Sequence, residues 1–94
     1  MAIERINYFR AATGSERTLR AFLESVISVI KGATGCKAVE LLVDQEDASQ
    51  LVILERWNDV ASHQAAAKLI PPSKLAEVGP LLAEPPKGRY YDFV

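Results

Sequence analysis

Between residues 15 and 31 the apolar side chains Leu19, Phe22, Leu23, Val26, Ile27 and Ile30 recur at intervals of three and four. At 3.6 residues per turn, that spacing puts all six on one side of a helix and leaves the other side polar. A single apolar stripe cannot bury itself, so the rest of the chain must supply a surface to cover it. Thr13 and Glu16 have the spacing of a capping box at the start of this helix, and Gly32 and Gly35 supply its stop.

The flanking segments show that the covering surface is a sheet. Residues 3–11 are rich in branched and aromatic side chains and read as a strand. Two more strands are predicted at about 36–44 and 50–58, joined by the polar turn Gln45-Glu46-Asp47-Ala48-Ser49. Asp59 is placed to cap a second helix over about 60–70, whose stripe includes His63, Ala66, Ala67 and Ile70 and which Pro71-Pro72 ends. Ser73 can cap a short helix holding Leu75, Val78 and Leu82, with Gly79-Pro80 interrupting it. Arg89 to Val94 read as a last, aromatic strand. The order β-α-β-β-α-(α)-β is the split βαβ, ferredoxin-like plan. It predicts one α+β domain over residues 1–94, an antiparallel four-stranded sheet with helices on one face.

Composition narrows the class of protein. With 49% hydrophobic and 24% charged residues, the chain is of globular type. Its 11 basic and 12 acidic residues are interspersed, so no basic stripe exists for nucleic acid or an anionic membrane. Cys36 is the only cysteine, which excludes an internal disulfide and a thiolate-rich metal site. No apolar run approaches the ~20 residues of a membrane span, and Glu4 and Asn7 interrupt the place of a signal-peptide core. A cytoplasmic protein is expected. A domain this small buries only about 60–65% of its unfolded surface, which favours pairing with a second copy.

Strand alternation locates a candidate site. Val39, Leu41 and Val43 share one face of their strand, as do Val52 and Leu54 of theirs, and both sets are expected under the helices. The opposite faces carry Ala38, Glu40 and Leu42 on one strand and Ile53, Glu55 and Trp57 on the other, joined by Phe9 if the first strand keeps the same parity. A face mixing carboxylates, a tryptophan and aliphatics reads as the wall of a cavity or of an interface. Two such sheets closing face to face in a homodimer bury this surface and enclose a cavity in each subunit.

Trp57 is placed to stack on a planar ligand or to fill the interior. Glu55 and Glu40, if desolvated, acquire raised pKa values and can take a proton from a phenol or carbon acid; the alternative is an ion pair with Arg5, Arg56 or Arg89. His63 is the only imidazole and the natural general base, with Asp59 one turn earlier to orient it; otherwise it is a hydrogen-bonded interface residue. Asn7 can donate to a carbonyl or a developing oxyanion, or face water near an edge. Tyr90 and Tyr91 alternate, so only one can face the cavity, and Tyr91 is taken for that role. Cys36 reads as structural.

Gly35-Cys36, Glu40-Leu41, Leu54-Glu55-Arg56-Trp57, the helix start Asn58-Asp59-Val60-Ala61-Ser62-His63-Gln64-Ala65 and the aromatic last strand resemble the antibiotic biosynthesis monooxygenase family across essentially the whole chain. The resemblance implies a dimeric α+β barrel. It also implies a cofactor-independent monooxygenase, without metal or flavin, that oxidises a small aromatic substrate such as a quinol, anthrone or related phenol with O2. On this reading His63, Glu55 and Asn7 carry the catalysis, while Trp57, Glu40, Leu42, Ile53, Phe9 and Tyr91 contact the substrate. A non-catalytic dimeric module that binds a small apolar ligand needs the same pocket. Haem-degrading members are a further alternative, but they place their histidine near the positions held here by Ala66 and Ala67, about a turn beyond His63.

Overall fold

A computed structural model describes residues 1–94. The elements run β1 (Ile3–Arg10), α1 (Glu16–Ile30), β2 (Cys36–Val43), β3 (Gln50–Trp57), α2 (Val60–Ala67), α3 (Pro72–Ala76) and β4 (Lys87–Asp92), with a 3₁₀ turn at Gly79–Leu81. The strands form one antiparallel sheet in the order β2-β3-β1-β4. This is the ferredoxin-like α+β arrangement expected from the element order. No helix is long and apolar enough to cross a membrane.

The α1 stripe meets the sheet as its periodicity requires. Leu19 and Leu23 pack with Leu51 and Ile53 of β3 and with Ala11. Further along the helix, Ile30 packs with Ile3, Trp57 and Ala66 of α2. Full burial of a side chain of this size contributes about 1.5–3 kcal/mol, so this layer holds both helices on one face of the sheet.

The register corrects the expected facing of β3. Directly opposed residues of an antiparallel pair project to the same side. Val39 stands opposite Glu55, Leu41 opposite Ile53 and Val43 opposite Leu51, while Arg5, Asn7 and Phe9 of β1 stand opposite Glu55, Ile53 and Leu51. Ile53, Glu55 and Trp57 therefore lie under the helices with Val39 and Leu41. Val52 and Leu54, expected there, point to the open face with Glu40 and Leu42. The β2–β3 turn sets this register. Asp44 N–H donates to the Gln50 carbonyl at 3.0 Å, and the Asp44 carboxylate accepts the N–H groups of Glu46 and Asp47. A shift of one residue would reverse every side chain.

Local signals differ from expectation at several ends. Thr13 does not cap α1: Ser15 is the N-cap residue, its side chain makes no cap bond, and Ser15 N–H closes a tight turn onto the Ala12 carbonyl. Asp59 does cap α2, accepting from Ser62 N–H at 2.8 Å. Ser73 caps nothing, because α3 starts at Pro72 with Pro71 as its N-cap. Strand β4 begins two residues early and stops at Asp92, since β1 offers no paired residue before Ile3.

Of the two glycines after α1, only Gly35 is in the left-handed region, at φ 86°. A Cβ there would also lie 2.7 Å from the Ser62 Cβ of α2. Gly35→Ala is therefore expected to destabilise the fold by about 1–2 kcal/mol from backbone strain alone, with the Ser62 clash adding to that. Urea unfolding followed by circular dichroism measures the loss, and Gly32→Ala is the control because nothing lies near its Cβ position.

Candidate active site

On the covered face, sheet and helices leave a cavity of about 200 Å³. Phe9, Ile53 and Trp57 of the sheet form its floor, and Phe22 and Val26 of α1, Ala66 and Ala67 of α2, and Val78 close over it. The cavity lies within one chain, between its own sheet and helices, and not between two facing sheets as the sequence suggested. Apart from the Trp57 indole, only Asn7, Glu55 and His63 bring polar side chains to it.

These polar groups belong to one network. Glu55, 4% exposed, sits in the middle of β3. Its Oε1 accepts the Trp57 indole N–H at 2.9 Å, and its Oε2 accepts from Asn7 Nδ2 at 2.7 Å. Asn7 Oδ1 in turn accepts the Arg5 Nε–H at 3.1 Å. His63 Nε2 stands 3.8 Å from Glu55 Oε1, and its Nδ1 is hydrogen-bonded to the Tyr90 hydroxyl at 2.7 Å. The Arg5 guanidinium lies over the Tyr90 ring, 4.5 Å from its centroid, so the chain of contacts returns to its start. The imidazole meets the Trp57 and Tyr90 rings edge-on, at 5.7 and 5.3 Å between centroids.

Topology explains the convergence. β1 is an interior strand, so Asn7 is flanked by β3 and β4 instead of facing water at an edge. Its amide orientation follows from its neighbours: an N–H donor on one side demands oxygen, and a carboxylate on the other demands NH₂. α2 starts directly after β3 and brings His63 back over Glu55. Gly88 stands opposite Asn7 on β4, and a side chain there would collide with the Arg5 guanidinium and Asn7 Oδ1.

Burial pushes the Glu55 carboxyl above its ordinary range, against the opposing pull of the Trp57 bond, the Arg5 charge and the Asn7 bond. Burial also lowers the His63 pKa, and the nearby Arg5 charge adds to the effect. Both groups are therefore biased toward their neutral forms, which suits them to pass a proton in either direction. Burial, and then the Glu55 charge, raise the Cys36 thiol, which stays protonated and unreactive. No three His, Cys, Asp or Glu side chains cluster closely enough to hold a metal ion.

Of the predicted residues, Asn7, Phe9, Ile53, Glu55, Trp57 and His63 line this one cavity. Glu40, Leu42 and Tyr91 do not; they stand opposite Leu54, Val52 and Glu4 on the other face of the sheet. Tyr91 instead meets Tyr8 there, hydroxyl to hydroxyl at 3.4 Å. Asp59 does not orient His63, its carboxylate being committed to the helix cap. None of the proposed arginine partners reaches Glu55 within 4.0 Å, and Arg56 pairs with Glu4 at 3.3 Å. Tyr90, and not Tyr91, joins the polar network through its hydroxyl on His63, although it does not line the cavity, and Arg5 joins the network through Asn7. Alternation along β1 gives Arg5 the facing of Asn7, whereas Tyr90 is found only through the β1–β4 register that sets it opposite Arg5.

The family profile described as antibiotic biosynthesis monooxygenase matches residues 2–69. The chain belongs to that family. Rv0793 of Mycobacterium tuberculosis superposes with a TM-score of 0.87 at 22% identity, over 100% of this chain and 96% of that one. PA3566 of Pseudomonas aeruginosa gives 0.84 at 21% identity, over 99% and 95%. A variant of SnoaB, a cofactor-independent oxygenase from Streptomyces nogalater, gives 0.82 at 13% identity, over 98% and 92%. At such identities these structures speak for the fold. No curated protein sequence matches the chain significantly.

Proposed function

We propose that this protein is a cofactor-independent monooxygenase acting on a small hydroxylated aromatic substrate, a quinol, anthrone or related phenol. The observation that carries this reading is the pairing of a buried carboxylate and an imidazole at the polar end of an otherwise apolar cavity. Membership of a monooxygenase family supports it. A volume of about 200 Å³ is below the range of drug-sized pockets and suits a ligand of two or three rings.

The chemistry asks little of the protein. Glu55 or His63 removes a proton from the bound phenol or activated C–H, and the resulting anion transfers electrons to O2. The peroxide formed takes a proton back and loses water, so one oxygen atom enters the product and the other leaves as water. All electrons come from the substrate. The apolar walls exclude bulk water, Trp57 provides a flat surface, and Asn7 holds Glu55 while offering a donor toward the substrate anion.

Oxygen uptake with 1,4-dihydroxynaphthalene, hydroquinone and anthrone tests the reading. The expected result is substrate-dependent uptake above the autoxidation rate, with quenching of the emission of Trp57, the chain's only tryptophan. Binding without uptake would overturn the enzyme reading in favour of a ligand-binding module.

We further propose that the protein is a homodimer joined through its open sheet face. Tyr8, Leu42 and Tyr91 there are 41%, 44% and 39% exposed, with Ile6, Val52 and Leu54 between them. Sedimentation at micromolar concentration is expected to give twice the chain mass of 10.3 kDa, and Leu42→Glu is expected to shift it toward one. A single-chain mass for the unmodified protein would overturn this.

A further inference from the structure

Glu55 and His63 are poorly placed to exchange protons with water by themselves. Their side chains are 5% and 16% exposed, and both line the cavity that a bound ring would fill. A base that cannot pass on its proton returns it to the substrate. Of the groups holding Glu55, the Trp57 indole and the Asn7 amide are too weakly acidic to carry a proton onward. The groups facing His63 are Glu55 from β3, Tyr90 from β4 and the Arg5 charge from β1. On its own helix, Asp59 is engaged at the cap.

We propose that Tyr90 is the solvent end of a proton relay running from Glu55 through His63, connecting the cavity to bulk water. The proposal rests on the reading of the cavity as a site that deprotonates its ligand. Tyr90 is 38% exposed and does not line the cavity, yet its hydroxyl meets His63 Nδ1 at 2.7 Å. The one long link, 3.8 Å from Glu55 Oε1 to His63 Nε2, exceeds a hydrogen bond by about 1 Å. Links of this kind tighten when a ligand fills the site.

The proton count closes. The substrate O–H or C–H bond breaks and its proton goes to the Glu55 carboxylate, then to His63 Nε2. The Nδ1 proton of the imidazolium passes to the Tyr90 oxygen as the original hydroxyl proton of Tyr90 leaves to water. Tyr90 is neutral before and after, and His63 has changed tautomer. The returning proton, taken by the product anion, travels the same path inward and restores that tautomer. The Arg5 guanidinium over the ring, 4.5 Å from its centroid, holds the Tyr90 ring in place beside His63.

The test is isotope exchange without oxygen. 2-Tetralone, a two-ring ketone with an acidic benzylic CH₂, is incubated with protein in D2O under nitrogen, and deuterium incorporation is followed by NMR. The unmodified protein is expected to catalyse incorporation. Tyr90→Phe is expected to slow it by about tenfold or more without weakening tetralone binding, as read from Trp57 emission. Added imidazole, which carries protons in place of the hydroxyl, is expected to restore the variant and leave the parent rate unchanged. Incorporation by Tyr90→Phe at the parent rate would overturn the relay, as would a loss that imidazole does not repair. Exchange that depends on Tyr90 with no oxygen uptake from any substrate overturns the oxygenase reading and leaves the relay standing. Binding without exchange by the parent protein overturns both.

Discussion

Glu55→Gln is expected to lower the rate of substrate oxidation by about 10²–10⁴-fold, the range that a positioned general base contributes. Glutamine keeps the shape of the side chain but cannot accept a proton at neutral pH. It also offers one oxygen where the carboxylate offers two, so either the Asn7 amide or the Trp57 N–H loses its acceptor. That loss costs about 1–3 kcal/mol and is offset by removal of a buried charge, so the variant should fold. His63→Ala should show a loss in the same range while leaving both bonds to Glu55 intact. Steady-state oxygen uptake against pH checks the pair. In the parent, activity should fall on the acid side, as protonation of Glu55 below its raised pKa and charging of His63 remove the base. Glu55→Gln should lack the carboxylate limb.

The same two groups give opposite stability effects. A carboxyl with a raised folded pKa contributes stability that is full below its ordinary value of 4.5 and lost as pH rises through the raised value. His63, lowered from 6.5, contributes stability above 6.5 that is lost as pH falls through its lowered value. Acidification from neutrality should therefore weaken the parent relative to His63→Ala, and strengthen it relative to Glu55→Gln. Urea midpoints at pH 7 and pH 5 separate the two.

Much of the architecture was legible because it depends on local periodicity. The α1 stripe, the capping aspartate of α2 and the order of elements along the chain each rest on spacings of a few residues, and tertiary packing reinforces them. Facing within β3 was not legible in the same way. It depends on whether Val43 opposes Leu51 or its neighbour, and so on the hydrogen bonds of the six-residue connection between β2 and β3, whose composition only marks it as a turn. That uncertainty put Glu40 and Leu42 in the site, while Tyr91 was placed there for want of the β1–β4 register. It left unaffected the grouping of Ile53, Glu55 and Trp57, which share parity on one strand whichever side it faces. Tyr90 needed two registers at once, β1 to β3 and β1 to β4. The Gly88 position, where an interior side chain would strike Arg5, was the one local sign of that close approach. Ser73 and Thr13 misled because a capping residue type is common in turns of every kind, and here backbone bonds had already closed the turn.

Trp57→Ala is expected to cost about 3–5 kcal/mol, a large share of the roughly 5–15 kcal/mol that holds a small domain together. The indole is fully buried, at 0% exposure, in the cluster formed by Ile3, Ile30 and Ala66. Removing it joins its volume to the existing cavity, which cannot collapse because β1, β3 and α1 all wall it. Trp57→Phe separates packing from polarity. Phenylalanine retains most of the buried area but removes the N–H donated to Glu55 Oε1. That bond favours the ionised carboxyl, so its loss should raise the Glu55 pKa further and make the ionised form costlier. The stability deficit of Trp57→Phe should accordingly be largest at neutral pH and narrow as pH falls toward 4.5. The deficit of Trp57→Ala combines the same lost bond with a larger packing loss, so most of it should persist at low pH. Chemical unfolding followed by far-ultraviolet circular dichroism, which does not need the indole, measures both. Equal deficits for Trp57→Phe at pH 7 and pH 4.5 would show that the indole acts as core filling alone, and would remove the electrostatic link between Trp57 and the base beside it.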